Sequence, residues 1–116
     1  MARPLPYSLL SAGSGDGDAA VIKSKGGRVY TIAATNVNAA VRYLKLYDKA
    51  TAPASTDTPV FRLAVPGATT GGGFTVSFPE GIDFQKGIGI RLVTGAADND
   101  STEVASAELM ANVSYQ

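Results

Sequence analysis

The stretch NAAVRYLKLYDKATAP, residues 38–53, shows the pattern that decides the fold class. Leu44 and Leu46 alternate with three polar or aromatic positions, which are Tyr43, Lys45 and Tyr47. Because successive side chains of a strand point to opposite faces of a sheet, the two leucines share a core-facing side and the other three share the opposite side. The small residues ATAP then break the pattern. The stretch predicts a half-buried β-strand followed by a loop.

The same two-residue period recurs along the chain after residue 18, between turns rich in Gly, Pro, Asn and Asp. No crossover helices for a parallel sheet are visible in the pattern. We therefore predict an all-β fold: an antiparallel two-sheet β-sandwich, jelly-roll-like, with an extended N-terminal arm. The seven predicted strands lie within AAVIKS (19–24), GRVYTIAATN (27–36), AVRYLKLYDK (40–49), VFRLAV (60–65), GGGFTVSFPEG (71–81), GIGIRLVTG (87–95) and AELMANVSYQ (107–116).

Alternation also assigns side chains to faces. The positions predicted to point outward include Arg62, Thr75, Ser77, Arg91, Asn112 and Ser114. The positions predicted to face the core together are Ala20 and Ile22; Tyr30, Ile32 and Ala34; Leu44 and Leu46; Phe61, Leu63 and Val65; Phe74, Val76 and Phe78; Ile88, Ile90 and Leu92; and Leu109, Ala111, Val113 and Tyr115.

The chain divides into an arm, residues 1–18, and one β-sandwich domain, residues 19–116. Pro4 and Pro6 favour an extended backbone in the arm. The segment SAGSGDGD, residues 11–18, is polar and glycine-rich, as flexible segments are. Two alternatives remain open for the arm: disorder, or order acquired by docking on a partner.

Composition excludes several functional classes. The chain has 10 Lys and Arg against 10 Asp and Glu, with no histidine and no cysteine. Disulfides, thiolate metal sites and hydrolases built on Ser-His-Asp or Cys-His are thereby excluded. The zero net charge argues against nucleic-acid binding and weakly favours association. No apolar run is long enough to span a membrane, and we expect a protein made in the cytoplasm without processing.

Two acidic clusters are candidate sites for a hard cation such as calcium: Asp16 with Asp18, and Asp98 with Asn99 and Asp100. Neither matches the twelve-residue calcium loop. Asp, Asn and Gly are also the ordinary residues of turns, because they cap backbone groups and tolerate positive φ. We favour the turn interpretation and predict no metal and no cofactor.

Two further motifs lack the context that chemistry requires. TTGGGFT, residues 69–75, is glycine-rich, but a strand follows it where a phosphate-binding loop needs a helix and a lysine. The carboxylates in the second half of the chain have no spacing that brings two of them to one cleft. They are Glu80, Asp83, Glu103 and Glu108. We predict no catalytic residues and no enzyme.

Cations and tyrosines cluster in the first half of the chain. They are Arg28, Arg42, Lys45 and Lys49, with Tyr30, Tyr43 and Tyr47. A nucleic-acid platform, a sugar-binding face, a protein interface and a solvated sheet face all use such residues. The zero net charge disfavours the first. A solvated face or a protein interface is favoured over ligand binding.

Several segments resemble a family of small structural proteins of tailed bacteriophages. They are GRVYTIAATNVNAAVRYLKLYDKATAP, TDTPVF, VSFPEGIDF and GIGIRLVTGAADND. The resemblance covers roughly residues 20–116, and its most specific segments are RYLKLYDKATAP and FPEGI-F-GIGIRL. It implies a virion component with a jelly-roll-like β-sandwich and carries no catalytic motif.

The resemblance implies a capsid decoration, or cement, protein on the virion surface. Its expected partners are the major capsid protein and copies of itself, as a trimer or another homo-oligomer. The alternative is a tail, neck or fibre-associated module that binds carbohydrate, through Tyr43, Tyr47 or the loop 69–73, or another virion protein. The expected interface residues are Arg3, Pro4, Leu5, Pro6, Tyr7, Tyr43, Lys45, Tyr47, Thr70 and Gly72.

Overall fold

The computed structural model describes residues 3–14 and 17–116. Across these ranges the chain forms strands and loops without a helix, so no described helix is long and apolar enough to cross a membrane. The described strands are β1 (Leu5–Leu10), β2 (Ala20–Lys23), β3 (Gly27–Asn36), β4 (Arg42–Tyr47), β5 (Phe61–Val65), β6 (Gly72–Phe84), β7 (Ile88–Val93) and β8 (Leu109–Tyr115).

The strands pair as one long antiparallel hairpin. β4 pairs with β5, β3 with β6, β2 with β7 and β1 with β8, so the first half of the chain runs back along the second. The hairpin is then rolled, because β8 also pairs with β3 and β7 also pairs with β4. The result is two antiparallel sheets: a first sheet in the order β1-β8-β3-β6 and a second sheet in the order β2-β7-β4-β5.

The core lies between the two sheets. Leu44 sits opposite both Leu63 and Leu92 on the inner face of the second sheet, and Ile32 sits opposite both Val76 and Val113 on that of the first. Each strand therefore contributes alternate side chains to one apolar layer, as in other two-sheet sandwiches. Burial of this layer is the main source of stability, at about 25 cal/mol per Å² of apolar surface.

The all-β, two-sheet prediction is confirmed, and all seven predicted strands are present. The predicted core positions of all strands but β3 belong to, or pack against, the buried cluster. In β3, Tyr30 was wrongly grouped with Ile32 and Ala34. The pairing of β3 with both neighbours shifts between Val29 and Thr31, and such a bulge reverses which alternate residues face inward. Val29 therefore takes the buried place.

The first part of the predicted arm contains an eighth strand. Residues 5–10 form β1, which pairs with β8 of the same chain from Leu5–Tyr115 to Leu10–Met110. Pro6 is tolerated because β1 is an edge strand. The arm thus docks on its own domain through this strand.

Candidate interaction surfaces

Loops of the same chain cover the outer face of the second sheet over its strands β4 and β7. Arg91 donates hydrogen bonds to the hydroxyl of Tyr47, at 3.1 Å, and to the carbonyl oxygen of Asp100, at 2.9 Å. Lys45 donates to the carbonyl oxygen of Ala97. The loop 94–108 therefore closes over β4 and β7. The loop 48–60 covers a further part of this face, where its Pro53 is buried against Gly89 of β7.

A row of three cations runs from the covered part of this face to its exposed edge. Arg62, Lys45 and Arg91 stand side by side on β5, β4 and β7. Lys45 and Arg91 are fully buried. Burial lowers the pKa of Lys45, and the charge of Arg91 lowers it further. At the exposed end, Arg62 holds Asp98 through two hydrogen bonds of 2.5 and 2.8 Å, which lower the pKa of Asp98.

The predicted contact residues Tyr43, Lys45 and Tyr47 do share the face opposite the core. However, the expectation that all three are open to a neighbour does not hold for the single chain. Tyr47 is 1% exposed and Lys45 is 0% exposed, because the loops cover them, while Tyr43 is half-buried. The cover comes from residues far along the chain, so alternation around residues 41–47 carries no sign of it.

The outer face of the first sheet has no such cover in the described residues. Three rows of four residues cross its strands β1, β8, β3 and β6 in register. The rows are Pro6–Ser114–Thr31–Ser77, Ser8–Asn112–Ala33–Thr75 and Leu10–Met110–Thr35–Gly73. We call this surface the bare face.

The bare face carries no charged side chain at any of these described positions. Four adjacent strands make it about 15–20 Å wide, since neighbouring strands lie about 4.8 Å apart. Leu10 and Met110 form an exposed apolar end, and a shallow groove runs beside Pro6, Ser8 and Ala33. Alternation predicted that Thr75, Ser77, Asn112 and Ser114 point outward. It could not show that they meet, because that depends on the strand order.

The remaining predicted interface residues lie at two margins of the first sheet. Arg3 and Pro4 are exposed just before β1, and Leu5 begins β1 with 53% of its surface exposed. Tyr7 points toward the core, where burial and then Tyr115 raise its pKa. Thr70 is exposed in the loop before β6, and Gly72 opens β6 opposite Asn36. These residues flank the bare face without forming a separate site.

The acidic residues act in turns and ion pairs. Asp100 accepts a hydrogen bond from the amide of Thr102, and Asp98 pairs with Arg62. Within residues 3–14 and 17–116, no group of three or more acidic side chains is placed to hold a metal ion. Asp16 of the first cluster lies outside the described residues. The other carboxylates are dispersed: Glu108 pairs with Arg42, Asp83 lies 3.8 Å from Arg28, and Glu80 and Glu103 are exposed.

The cation and tyrosine cluster does not assemble into one surface. Arg28 and Tyr30 belong to the first sheet, where Tyr30 donates a hydrogen bond to the side chain of Gln116. Arg42 pairs with Glu108, and Lys49 pairs with Asp57. The two groups lie in different sheets. Beside Tyr30 the structure has an open polar depression, lined in part by Lys23, Arg28, Asp83 and Gln116.

Comparisons with protein-family models, with curated proteins and with solved structures found no match for this chain.

Proposed function

We propose that this chain is a structural protein of a bacteriophage virion, and that it decorates and stabilises the capsid shell by binding the major capsid protein through the bare face. The observation that carries the proposal is the contrast between the two outer faces. The chain's own loops cover the second over β4 and β7, whereas the first carries the bare face, whose three rows are uncharged and open in the described residues. An uncharged face can be buried against another protein without the cost of desolvating ions.

The winding of the chain supports this proposal at the level of the fold. Nested pairing of β1 with β8, β2 with β7, β3 with β6 and β4 with β5 is the winding of a jelly roll, and we infer that architecture here. Jelly rolls recur in viral capsid proteins and in lectins. This argument is an analogy between folds, since one fold serves many functions.

Binding to an assembled shell would stabilise the shell by mass action, because the protein binds the assembled state in preference to free subunits. The neutral net charge fits dense packing of many copies, since it leaves no long-range repulsion between them. The membership in the virion itself rests on the sequence segments that resemble phage structural proteins.

The test uses particles of the encoding phage assembled without this protein. Purified protein is added, the particles are sedimented, and bound copies and the temperature of DNA release are measured. We expect the wild type to bind in many copies and to raise the release temperature. Asn112→Arg places a charge at the centre of the bare face and should lower the number of bound copies at least tenfold.

Thr56→Arg is the matched control, because Thr56 is exposed in the loop 48–60 on the other side of the sandwich. It should bind like the wild type. Failure of the wild type to bind the shell would overturn the decoration role. Equal binding by Asn112→Arg would place the contact elsewhere on the protein.

A second candidate is carbohydrate binding in a tail, neck or fibre module, favoured by the depression beside Tyr30. This depression offers a tyrosine ring with amide, guanidinium and carboxylate groups around it. The buried ring of Tyr47 does not. A glycan array that gives signal with the wild type and loses it with Tyr30→Ala would support this candidate, and the absence of any signal would reject it.

A further inference from the structure

The strand β1 is the least buried strand of the sandwich. Its two inward side chains, Tyr7 and Leu9, are only half-buried, and its ends Leu5 and Leu10 are 53% and 49% exposed. Among the described strands it pairs with β8 alone. Removing β1 would leave the inner layer of the other strands in place. Strands with so few buried contacts open at much lower cost than the whole fold.

The segment that follows β1 is held to β8 at Ser11 and contains a strained backbone position at Asp18. Ser11 is buried, and its amide donates to the carbonyl oxygen of Leu109, which continues the β1–β8 ladder. Beyond it, Gly13, Gly17 and Asp18 all have positive φ, of 73°, 72° and 51°. Glycine accepts this conformation freely, but aspartate adopts it at a cost.

Asp18 carries a second cost. It is 9% exposed, and its Oδ1 accepts one hydrogen bond from the amide of Ala12, whereas its Oδ2 is buried without a partner. A buried carboxylate oxygen that lacks a hydrogen bond is unfavourable. Both costs fall at Asp18, two residues before β2 begins, and the hydrogen bond from the amide of Ala12 connects this residue to the segment that follows β1. A strained hinge next to a weakly held terminal element favours exchange of that element between molecules.

We propose that β1 is exchanged between copies of this chain: residues 3–11 of one copy occupy the edge of β8 in a second copy. The contacts of β1 with β8, including those of Ser11, are then the same as in the single chain, and only the hinge around Asp18 changes. The strand of the same chain has the advantage of an effective concentration of about 1 mM for a short tether. Strain at Asp18 reduces that advantage, so exchange is favoured where copies are concentrated. It is a property of the chain alone and does not rest on a role in a virion.

The test exploits the absence of cysteine from the sequence. Ser8 and Asn112 are register partners on β1 and β8, and both are exposed. Counting back from the hydrogen-bonded position Ser11–Leu109, they form a non-hydrogen-bonded pair, whose Cα atoms lie about 4.5 Å apart, within disulfide range. Two single variants, Ser8→Cys and Asn112→Cys, are refolded together at high concentration, oxidised gently and analysed by mass spectrometry.

Exchange predicts that nearly all disulfide-linked dimers join a Ser8→Cys chain to an Asn112→Cys chain. Random collision gives this mixed dimer in only about half of the products. Ser8→Cys mixed with Ser77→Cys is the control, because Ser77 lies on β6, at the far side of the same face. It should stay at the random fraction. A random fraction for the Ser8 and Asn112 pair would overturn the proposal.

The hinge is tested in the same assay with Asp18→Gly, which removes both the carboxylate oxygen that lacks a partner and the cost of positive φ. This variant should favour the closed single chain and lower the yield of mixed dimer several-fold. An unchanged yield would overturn the role assigned to Asp18. The double variant Ser8→Cys/Asn112→Cys at low concentration should form its disulfide within one chain, which checks the β1–β8 register and the folding of both variants.

Discussion

Lys45 on β4 lies directly opposite Arg91 on β7, and both side chains are fully buried. Two like charges are therefore placed side by side, away from solvent. Their compensation comes from loop oxygens: Lys45 donates to the carbonyl of Ala97 and Arg91 to that of Asp100. The loop 94–108 is thus held to the sheet by hydrogen bonds from charged groups, which are stronger than those between neutral groups.

The lowered pKa of Lys45 predicts how stability depends on pH. The folded protein binds the Lys45 proton less tightly than the unfolded chain does, so the cost of the buried charge is fully present below the lowered pKa of the folded state. That cost falls as pH rises from the lowered pKa toward the ordinary value of 10.5. The free energy of unfolding of the wild type, relative to Lys45→Met, should therefore increase from pH 7 to pH 10.

Urea denaturation of both proteins across this range measures the difference. Lys25→Met, which changes an exposed lysine, controls for the loss of a surface charge. A difference between wild type and Lys45→Met that stays constant with pH would contradict the prediction.

Removal of the negative charge of Glu108 should destabilise the protein, because Arg42 then loses the carboxylate with which it pairs. Glu108 is 8% exposed and accepts hydrogen bonds from Arg42, at 2.8 Å, and from the side chain of Asn38, at 2.7 Å. Glu108→Gln keeps the shape but removes the charge that balances Arg42. We expect a loss of about 2–3 kcal/mol in the free energy of unfolding. Glu103→Gln, at an exposed carboxylate, should change it by less than about 0.5 kcal/mol. Equal losses in the two variants would contradict the prediction.

The two-residue alternation of apolar side chains predicts which residues of a strand face the core, and this is the part of the fold that the sequence predicts well. Local period two placed Leu44, Leu46 and their counterparts in the core correctly, because burial on one face is a property of each strand by itself. It failed at Tyr30, where a bulge interrupts the period. The strand β1 was missed because its sequence LPYSLL, with Pro6, hides the alternation.

The outer surfaces of the two sheets could be predicted from the sequence less well than the core. The bare face requires that Ser8, Asn112, Ala33 and Thr75 meet, and these residues come from four strands whose order alternation does not contain. The burial of Lys45 likewise depends on a loop about 50 residues away in the chain. Surface function in a sandwich is set by topology and loop placement, whereas the composition of each strand reports only which side faces the core.

Two glycines at the start of β6, Gly71 just before the strand and Gly73 within it, allow the effect of backbone conformation to be distinguished from that of steric overlap. Gly71 and Gly73 both have positive φ, of 107° and 139°. A Cβ on Gly71 would meet no atom within 4 Å, whereas a Cβ on Gly73 would overlap the carbonyl oxygen of Ala34 on the neighbouring strand. We expect Gly71→Ala to cost about 1 kcal/mol from conformation alone, and Gly73→Ala to cost about 3 kcal/mol. Thermal or urea unfolding measures both, and similar losses would show that the approach of Ala34 does not matter.

Ser11 joins the start of the chain to the loop that precedes β8. Its side chain is 1% exposed; the hydroxyl donates to the carbonyl of Ala105, at 2.6 Å, and accepts from the amides of Glu108 and Leu109, both at 3.0 Å. Ser11→Ala leaves these three backbone groups buried without that partner, and should lower the free energy of unfolding by about 2–3 kcal/mol.

Ser8→Ala is the matched control, because Ser8 is exposed on the bare face and its replacement should change stability by less than about 0.5 kcal/mol. Denaturation of the two variants gives the comparison. Hydrogen exchange gives the location: the amides of Glu108 and Leu109 should lose protection in Ser11→Ala and keep it in Ser8→Ala. If both variants unfold like the wild type, Ser11 is not the point that ties the N-terminal strand to the end of the sandwich.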